Sequence, residues 1–218
     1  MNVLVIGDPH YMTSNFSQID DFENKLFAYL GTTNLDYIII LGDVLHDHER
    51  IHTLPLNRAY SLISKLRKYV SKDVIVLVGN HDLINNQQYL TNNHWMNGMK
   101  KWNKVKIIDK VTEISNDFFK SVLVPYVPNG MFIKALSESE IDWKDADVIY
   151  AHQEFYGCKL DSGIDSETGD KWPEDYPNII SGHIHLNQQL SKNVYYPGSA
   201  MQHTFRENET FQIGRAHV

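Results

Sequence analysis

Short apolar runs recur along this chain, and most of them end on a small block of Gly, Asp, Asn or His. The blocks are Asp8-Pro9-His10, Gly42-Asp43, Gly79-Asn80-His81-Asp82, His152 and Gly182-His183-Ile184-His185. The runs before them cover 3–6, 37–41, 74–78, 148–150 and 179–180, and a further run covers 121–124. Runs with no polar alternation suit strands buried on both faces of a sheet. Each block therefore sits at the C-terminal end of a buried strand, where open α/β sheets bind ligands. In extended chain, residues i and i+2 point the same way. That spacing predicts that Asp8 and His10 face one centre, and likewise His183 and His185.

Between the first runs lie amphipathic stretches. Ile19, Phe22, Leu26, Tyr29 and Leu30 recur at helical spacing, as do Leu56, Ala59, Tyr60, Ile63, Leu66 and Val70, which predicts two helices. Arg58, Lys65, Arg67 and Lys68 fall mostly off the second stripe and are read as a solvated face. The strand–helix–strand order predicts an α/β layered fold, and 218 residues suit a single domain. Residues 105–125 read as a meander of strands, 188–190 and 194–196 as a final hairpin, and 92–102 as a helix in which His94 packs. The segment 159–177 holds Asp161, Asp165, Glu167, Asp170, Glu174 and Asp175 against Lys159 and Lys171. It reads as a solvated loop, but both its roots adjoin blocks, so it is a candidate rim for the site.

Asp, Asn and His are hard-to-borderline donors that suit Mn, Fe or Zn, and thiolate has no part in the set. The lone cysteine, Cys158, can form no intrachain disulfide and reads as a small packing residue. The net charge of −7 argues against a protein that holds nucleic acid by bulk Coulomb attraction, though not against one that grips phosphate locally. If Asp8 and Asp43 are the anionic ligands of two divalent ions, the centre carries about +2. Two ions roughly 3.5–4 Å apart can position a hydroxide and stabilise phosphoryl oxygens. No basic leader precedes the first run and no apolar run nears the ~18 residues of a membrane span. A cytoplasmic protein with no membrane partner is expected.

The five blocks together resemble the calcineurin-like metallophosphoesterase superfamily, whose pattern is D-x-H, G-D, G-N-H-[D/E], H and G-H-x-H. The resemblance covers Asp8 to about Glu207 and implies a single-domain, four-layer α-β-β-α sandwich. It implies one metal on Asp8, His10, Asp43 and His185, and a second on Asp43, Asn80, His152 and His183, with Asp43 bridging. Mn is the expected ion, with Fe, Zn or Mg as alternatives. His81 would serve as general acid or transition-state stabiliser, its ring oriented by Asp82.

Protein phosphatases of the superfamily carry G-D-x-x-D-R-G and G-N-H-E. Here Gly42-Asp43-Val44-Leu45-His46-Asp47-His48 lacks that arginine, and Asp82 replaces the glutamate. His46 instead resembles the histidine that SbcD-type DNA double-strand-break repair nucleases extend toward the scissile phosphate. Tyr196-Pro197-Gly198-Ser199 and Thr204-Phe205-Arg206-Glu207 resemble the same nucleases, phage and viral members above all. The expected reaction is in-line attack on a DNA phosphodiester by a hydroxide held between the metals, with His81 assisting the leaving oxygen. A small-molecule phosphodiesterase, for cyclic nucleotides or dinucleotides, is the alternative, and a non-catalytic scaffold the third. His48, His52 and His203 receive no catalytic role.

The last six residues, Ile213-Gly214-Arg215-Ala216-His217-Val218, match the translation of a common sequencing-adapter stretch whose next in-frame codon is a stop. They are expected to be read-through, leaving 1–212 as the catalytic domain. SbcD-type nucleases continue into a capping domain and helices that dock an SMC-like ABC ATPase. Neither is expected in this chain, although DNA, that ATPase and a second copy of the chain are the partners the resemblance implies.

Overall fold

The computed structural model describes residues 1–116 and 119–201, together with the backbone of 214–217. His203, the segment Thr204 to Glu207, Ile213 and Val218 lie outside the described residues. The first unit is β1 (Asn2–Ile6), α1 (Phe16–Leu30), β2 (Leu35–Ile40), α2 (Thr53–Leu66) and β3 (Val70–Leu77), followed by a 3-10 turn at Trp95–Lys101 and β4 (Val105–Ile108). The second unit is β5 (Thr112–Asn116), β6 (Phe119–Val124), α3 (Phe132–Glu138), β7 (Val148–His152), β8 (Asn178–Gly182), β9 (Gln188–Ser191) and β10 (Val194–Tyr196). A last strand, β11 (Gly214–His217), lies antiparallel to β1.

The strands form two sheets, β11-β1-β2-β3-β4 and β5-β6-β7-β8-β10-β9. The apolar runs of β1, β2, β3, β6 and β7 are continuous because both faces of these strands are covered, whereas β5 and β9 lie open to solvent. Val3 and Val5, Tyr37 and Ile39, and Ile75 and Leu77 pack in one cluster with Leu123, Val148 and Tyr150 of the other sheet. The intervening Leu4, Ile6, Ile38, Ile40, Val74 and Val76 pack instead with Ile19, Leu26, Leu62 and Leu66 of the helices. In the second sheet Val122, Val124, Ile149 and Ala151 face Phe132, Leu136 and Trp143. Period-2 alternation thus splits the central strands between an inter-sheet core and an outer helical layer. The predicted α-β-β-α sandwich is what the chain adopts.

Four local expectations need correction. Residues 105–125 are not one meander: β4 pairs parallel with β3 in the first sheet, while β5 and β6 form a hairpin in the second. Val70, read as the end of the helical stripe, opens β3 instead, because α2 stops at Leu66. The stretch 92–102 yields only the 3-10 turn, whose cap His94 accepts from the Met96 N–H through Nδ1 and donates from Nε2 to Asp109 Oδ2 at 3.2 Å. The hairpin of β9 and β10 is as expected, and β10 runs parallel to β8.

The fourth correction concerns Arg58, which does not lie on a solvated face. Its Nε donates to Oε1 of Glu23 at 2.7 Å and its Nη2 to Asp20 at 2.6 Å, tying α2 to α1. The Glu23 carboxylate is 3% exposed and also accepts from the Tyr11 hydroxyl at 3.1 Å, with Lys65 Nζ at 3.8 Å. A carboxylate this deep is tolerated only with its partners. We expect Arg58→Ala to lower unfolding free energy by about 2 kcal/mol in urea titrations, part of which returns when Glu23→Gln is added. A loss below about 0.5 kcal/mol would show that Arg58 is a surface charge.

Candidate metal centre

All five blocks meet at the C-terminal ends of β1, β2, β3, β7 and β8. Donor atoms of Asp8, His10 and His185 lie within 4.8 Å of one another, as do those of Asp43, His152 and His183. A third such set, His10, His46 and His81, overlaps the first through His10. Each of the first two sets draws on both sheets. The first takes Asp8 and His10 from beyond β1 and His185 from beyond β8; the second takes Asp43 from beyond β2, His152 from β7 and His183 from beyond β8.

Asp43 stands between them. Its Oδ2 is 3.5 Å from His10 Nε2 and 3.3 Å from His152 Nε2, one histidine of each set. Its Oδ1 accepts the His81 backbone N–H at 2.8 Å. Asn80 completes the second set: Oδ1 lies 2.9 Å from His152 Nε2 and 2.8 Å from His183 Nδ1, while Nδ2 donates to Asn86 at 3.2 Å.

The residues come together by strained backbone rather than by extended-strand alternation. Asp8, His10, Asp43 and His183 have φ of 22°, 44°, 49° and 78°, a region that non-glycine residues occupy at a cost of about 1–3 kcal/mol each. His183 and His185 both reach the centre, one in each donor set. The i, i+2 spacing gives the right pairing for Asp8 and His10, but the two side chains converge through left-handed turns. Surrounding bonds hold these turns in place. The His10 N–H donates to the Asp43 carbonyl, Asn15 Nδ2 donates to the His10 carbonyl at 2.9 Å, and the His183 N–H donates to Asp8 Oδ1 at 2.9 Å.

Two glycines make room. A Cβ on Gly79 would fall 2.2 Å from Asp43 Oδ1, and one on Gly42, at φ +117°, would fall 2.5 Å from His152 Nδ1. The Tyr196-Pro197-Gly198-Ser199 turn braces the same end of the sandwich. Ser199 N–H donates to the His185 carbonyl at 3.1 Å and Ala200 N–H to the Gly7 carbonyl at 2.9 Å.

The donor set fits divalent cations. His152 Nδ1–H donates to the Leu41 carbonyl at 2.8 Å, which turns the lone pair of Nε2 toward Asn80 Oδ1 and Asp43 Oδ2. Acceptors converging on one point, with the imidazole held from behind by a carbonyl, are the surroundings of a metal ligand. Protonation follows the same demand for positive charge. Burial works to push the His152 pKa down, but the Asp43 and Asp8 carboxylates override it and hold the ring at about 9. Burial pushes His183 down to about 3, helped by the positive potential of His152, so its imidazole is neutral. Burial raises Asp8 to about 6. Asp43 feels the same burial, yet His152, His10 and His81 hold it well below the usual carboxylate range.

Asp82 differs from expectation. The ring of His81 donates from Nδ1 to the His46 carbonyl and stacks on His48 with centroids 4.2 Å apart. Both Asp82 oxygens are taken elsewhere, Oδ2 by the Gly79 N–H at 3.0 Å and Oδ1 by the Trp95 indole at 2.9 Å. Asp82 thus shapes the Gly79–Asp82 turn and reaches His81 only through the backbone; burial raises its pKa to about 7. His46 does join the site, with Nδ1 3.3 Å from His10 Nδ1. His52 lies away from it, 4.0 Å from Asp47.

The family profile described as Calcineurin-like phosphoesterase matches residues 1–187. The chain belongs to that family. It is 45% identical over 220 residues to "Putative phosphoesterase 078R" of Invertebrate iridescent virus 3, an alignment that covers 100% of this chain and 62% of the relative. It is 47% identical over 208 residues to "Putative phosphoesterase 244L" of Invertebrate iridescent virus 6, covering 95% of this chain and 72% of that protein. Among solved structures, a "Putative 5'-Nucleotidase from Staphylococcus aureus" aligns with a TM-score of 0.50 over 92% of this chain and 49% of its own, at 14% identity. That likeness concerns the fold. No helix among the described residues is long and apolar enough to cross a membrane.

Sequence reading missed the residues that hold the blocks. Asn15, Asn86 and Trp95 are ordinary polar or aromatic residues in loops, and only their contacts reveal their part. We expect Gly79→Ala, whose methyl must displace the Asp43 carboxylate, to lower Mn2+ affinity at least ~10-fold by isothermal titration while leaving the far-ultraviolet circular dichroism unchanged. Unchanged affinity would mean that Asp43 is not held at this glycine.

Proposed function

We propose that this chain is a dinuclear metal-dependent phosphodiester hydrolase acting on DNA, the catalytic part of a repair or recombination nuclease. The observation that carries the reading is His46. Its Nδ1 lies 3.3 Å from His10 Nδ1, and its donor atoms cluster with those of His10 and His81 beside the first donor set, close enough for a phosphodiester on the centre to be reached by a turn of its ring.

Asp8, His10, Asp43 and His185 would hold one ion, and Asp43, Asn80, His152 and His183 the other, with Mn as the first candidate. Bound there, the ions supply Lewis acidity toward the phosphoryl oxygens and an activated water. The chain's own groups do the rest. The His46 carbonyl fixes the Nδ1–H of His81, so the doubly protonated ring would give its Nε2–H to the leaving oxygen and end as the neutral Nδ1–H tautomer. His46 offers a further donor to a non-bridging oxygen. Docking to an SMC-like ATPase and pairing with a second copy belong to the same proposal.

One observation favours a second reading, a phosphodiesterase for nucleotide-sized molecules. Beside His81 lies an open cleft of about 460 Å³ lined by His48, Glu49, Ile84, Asn85, Asn86 and Gln87. That volume suits a small ligand, and a net charge of −7 gives duplex DNA little bulk attraction.

Digestion of single-stranded, blunt and hairpin DNA with Mn2+, alongside bis-p-nitrophenyl phosphate, separates the two. The nuclease reading expects Mn2+-dependent DNA cleavage that Asp8→Ala abolishes and His46→Ala slows by ~10²-fold or more. Hydrolysis of the small diester with all three DNAs intact would favour the second reading.

A further inference from the structure

The acidic segment 159–177 reads from composition as a solvated rim, but its first half is a fixed structure. Leu160 N–H donates to the Ile164 carbonyl at 2.9 Å and Gly163 N–H to the Leu160 carbonyl at 2.7 Å, closing a tight turn. Below it, Gly157 N–H donates to the Ser166 carbonyl and Ser166 N–H to the Cys158 carbonyl, both at 2.8 Å. Lys159 pairs with Asp165 at 2.9 Å across the same small hairpin. Gln188 then clamps the hairpin to β9: its Oε1 accepts the Lys159 N–H at 2.8 Å and its Nε2 donates to the Lys159 carbonyl at 3.0 Å. Gln188 is three residues beyond His185, so hairpin and histidine share one anchor.

At the tip of the hairpin stands Asp161, with Oδ2 2.8 Å from His185 Nδ1, an ion-pair contact set off the line of the ring N–H. The other ring nitrogen, Nε2, faces inward and lies 3.0 Å from His10 Nε2. The imidazole therefore spans from a carboxylate on its outer side to the donor set on its inner side. A negative charge this close to Nδ1 draws the ring proton to that nitrogen, which favours the Nδ1–H tautomer and leaves the Nε2 lone pair toward the centre; a small turn of the Asp161 carboxylate would convert the contact into the carboxylate–histidine bond common behind metal ligands. We propose that Asp161 is a positioning residue that fixes His185 for metal binding; the proposal rests on the two-metal reading given above.

The effect is confined to one donor set. The comparable carboxylate on the other set, Glu154, has Oε2 3.9 Å from His183 Nε2, beyond hydrogen-bond reach. Its Oε1 is engaged by the hydroxyls of Ser166 and Thr168. The side chain of Asp161 is 37% exposed, so water screens part of its charge, and its loss should fall at the lower end of the ~10–100-fold usual for such partners.

The test is calorimetric titration of MnCl2 into the metal-stripped full chain, using wild type, Asp161→Asn, His185→Ala and the double variant. Wild type should bind two ions. Asp161→Asn should weaken one of them by about tenfold and spare the other, and it should have no further effect once His185 is removed. Long-range ¹H–¹⁵N spectra of the imidazoles should show the Nδ1–H form of His185 in wild type and a tautomer mixture in Asp161→Asn.

If wild type binds two ions and Asp161→Asn binds both with unchanged affinity, Asp161 positions nothing, and the two-metal reading stands. An equal loss at both sites, or a loss that persists without His185, would make Asp161 a general structural residue and overturn the proposal. If wild type binds no Mn2+, the two-metal reading itself fails and takes this proposal with it.

Discussion

The Asp43 carboxylate is the contact on which the site depends. It is buried and left ionised, an arrangement whose desolvation must be offset locally. A backbone N–H takes one oxygen, and two histidines from opposite donor sets flank the other. The Gly79 backbone packs against it so closely that a methyl cannot intervene. Much of the surrounding loop structure keeps this anion in place: the turn shaped by Asp82 and Trp95, the left-handed conformations at Asp8 and His10, and the Leu41 carbonyl behind His152.

Much of the fold was legible because burial on both faces leaves a plain mark. Residues 3–6, 37–41 and 74–78 have no alternation to hide, and each ends on a polar block. What could not be read was which sheet a strand joins. The β4 and β5 strands are neighbours in sequence with similar composition, and only the crossover between the layers separates them. Helix ends were similarly obscure: Val70 continues the apolar spacing of α2 although the helix has already stopped. Arg58 shows the limit of reading faces from periodicity, since a cation beside an apolar stripe can reach a buried carboxylate on the neighbouring helix.

The candidate site was legible in its residue types and much less in its geometry. Asp, Asn and His in five blocks indicate the chemistry of the donors. The angles that gather them are not written in the residues, because Asp8, His10, Asp43 and His183 take positive φ without being glycine. Extended-strand spacing brings His183 and His185 to the centre but does not say how they divide between the sets. Asp161 was legible only as one of several carboxylates in a segment rooted beside the blocks. Its partner is remote in sequence, and a cluster of acidic residues most often means only solvent.

Each donor set takes side chains from both sheets, and this bears on more than chemistry. Apart from the site, the two sheets meet mainly through an apolar interface, which has no direction and resists sliding weakly. An ion gripped by Asp8 and His10 on one side and His185 on the other would act as a rivet through the seam. Two such rivets, joined at Asp43, would fix the sheets against both shear and rotation. The centre would then be a fastener as well as a reagent: the same ions that attract a phosphate would set how rigidly the sandwich holds its mouth open.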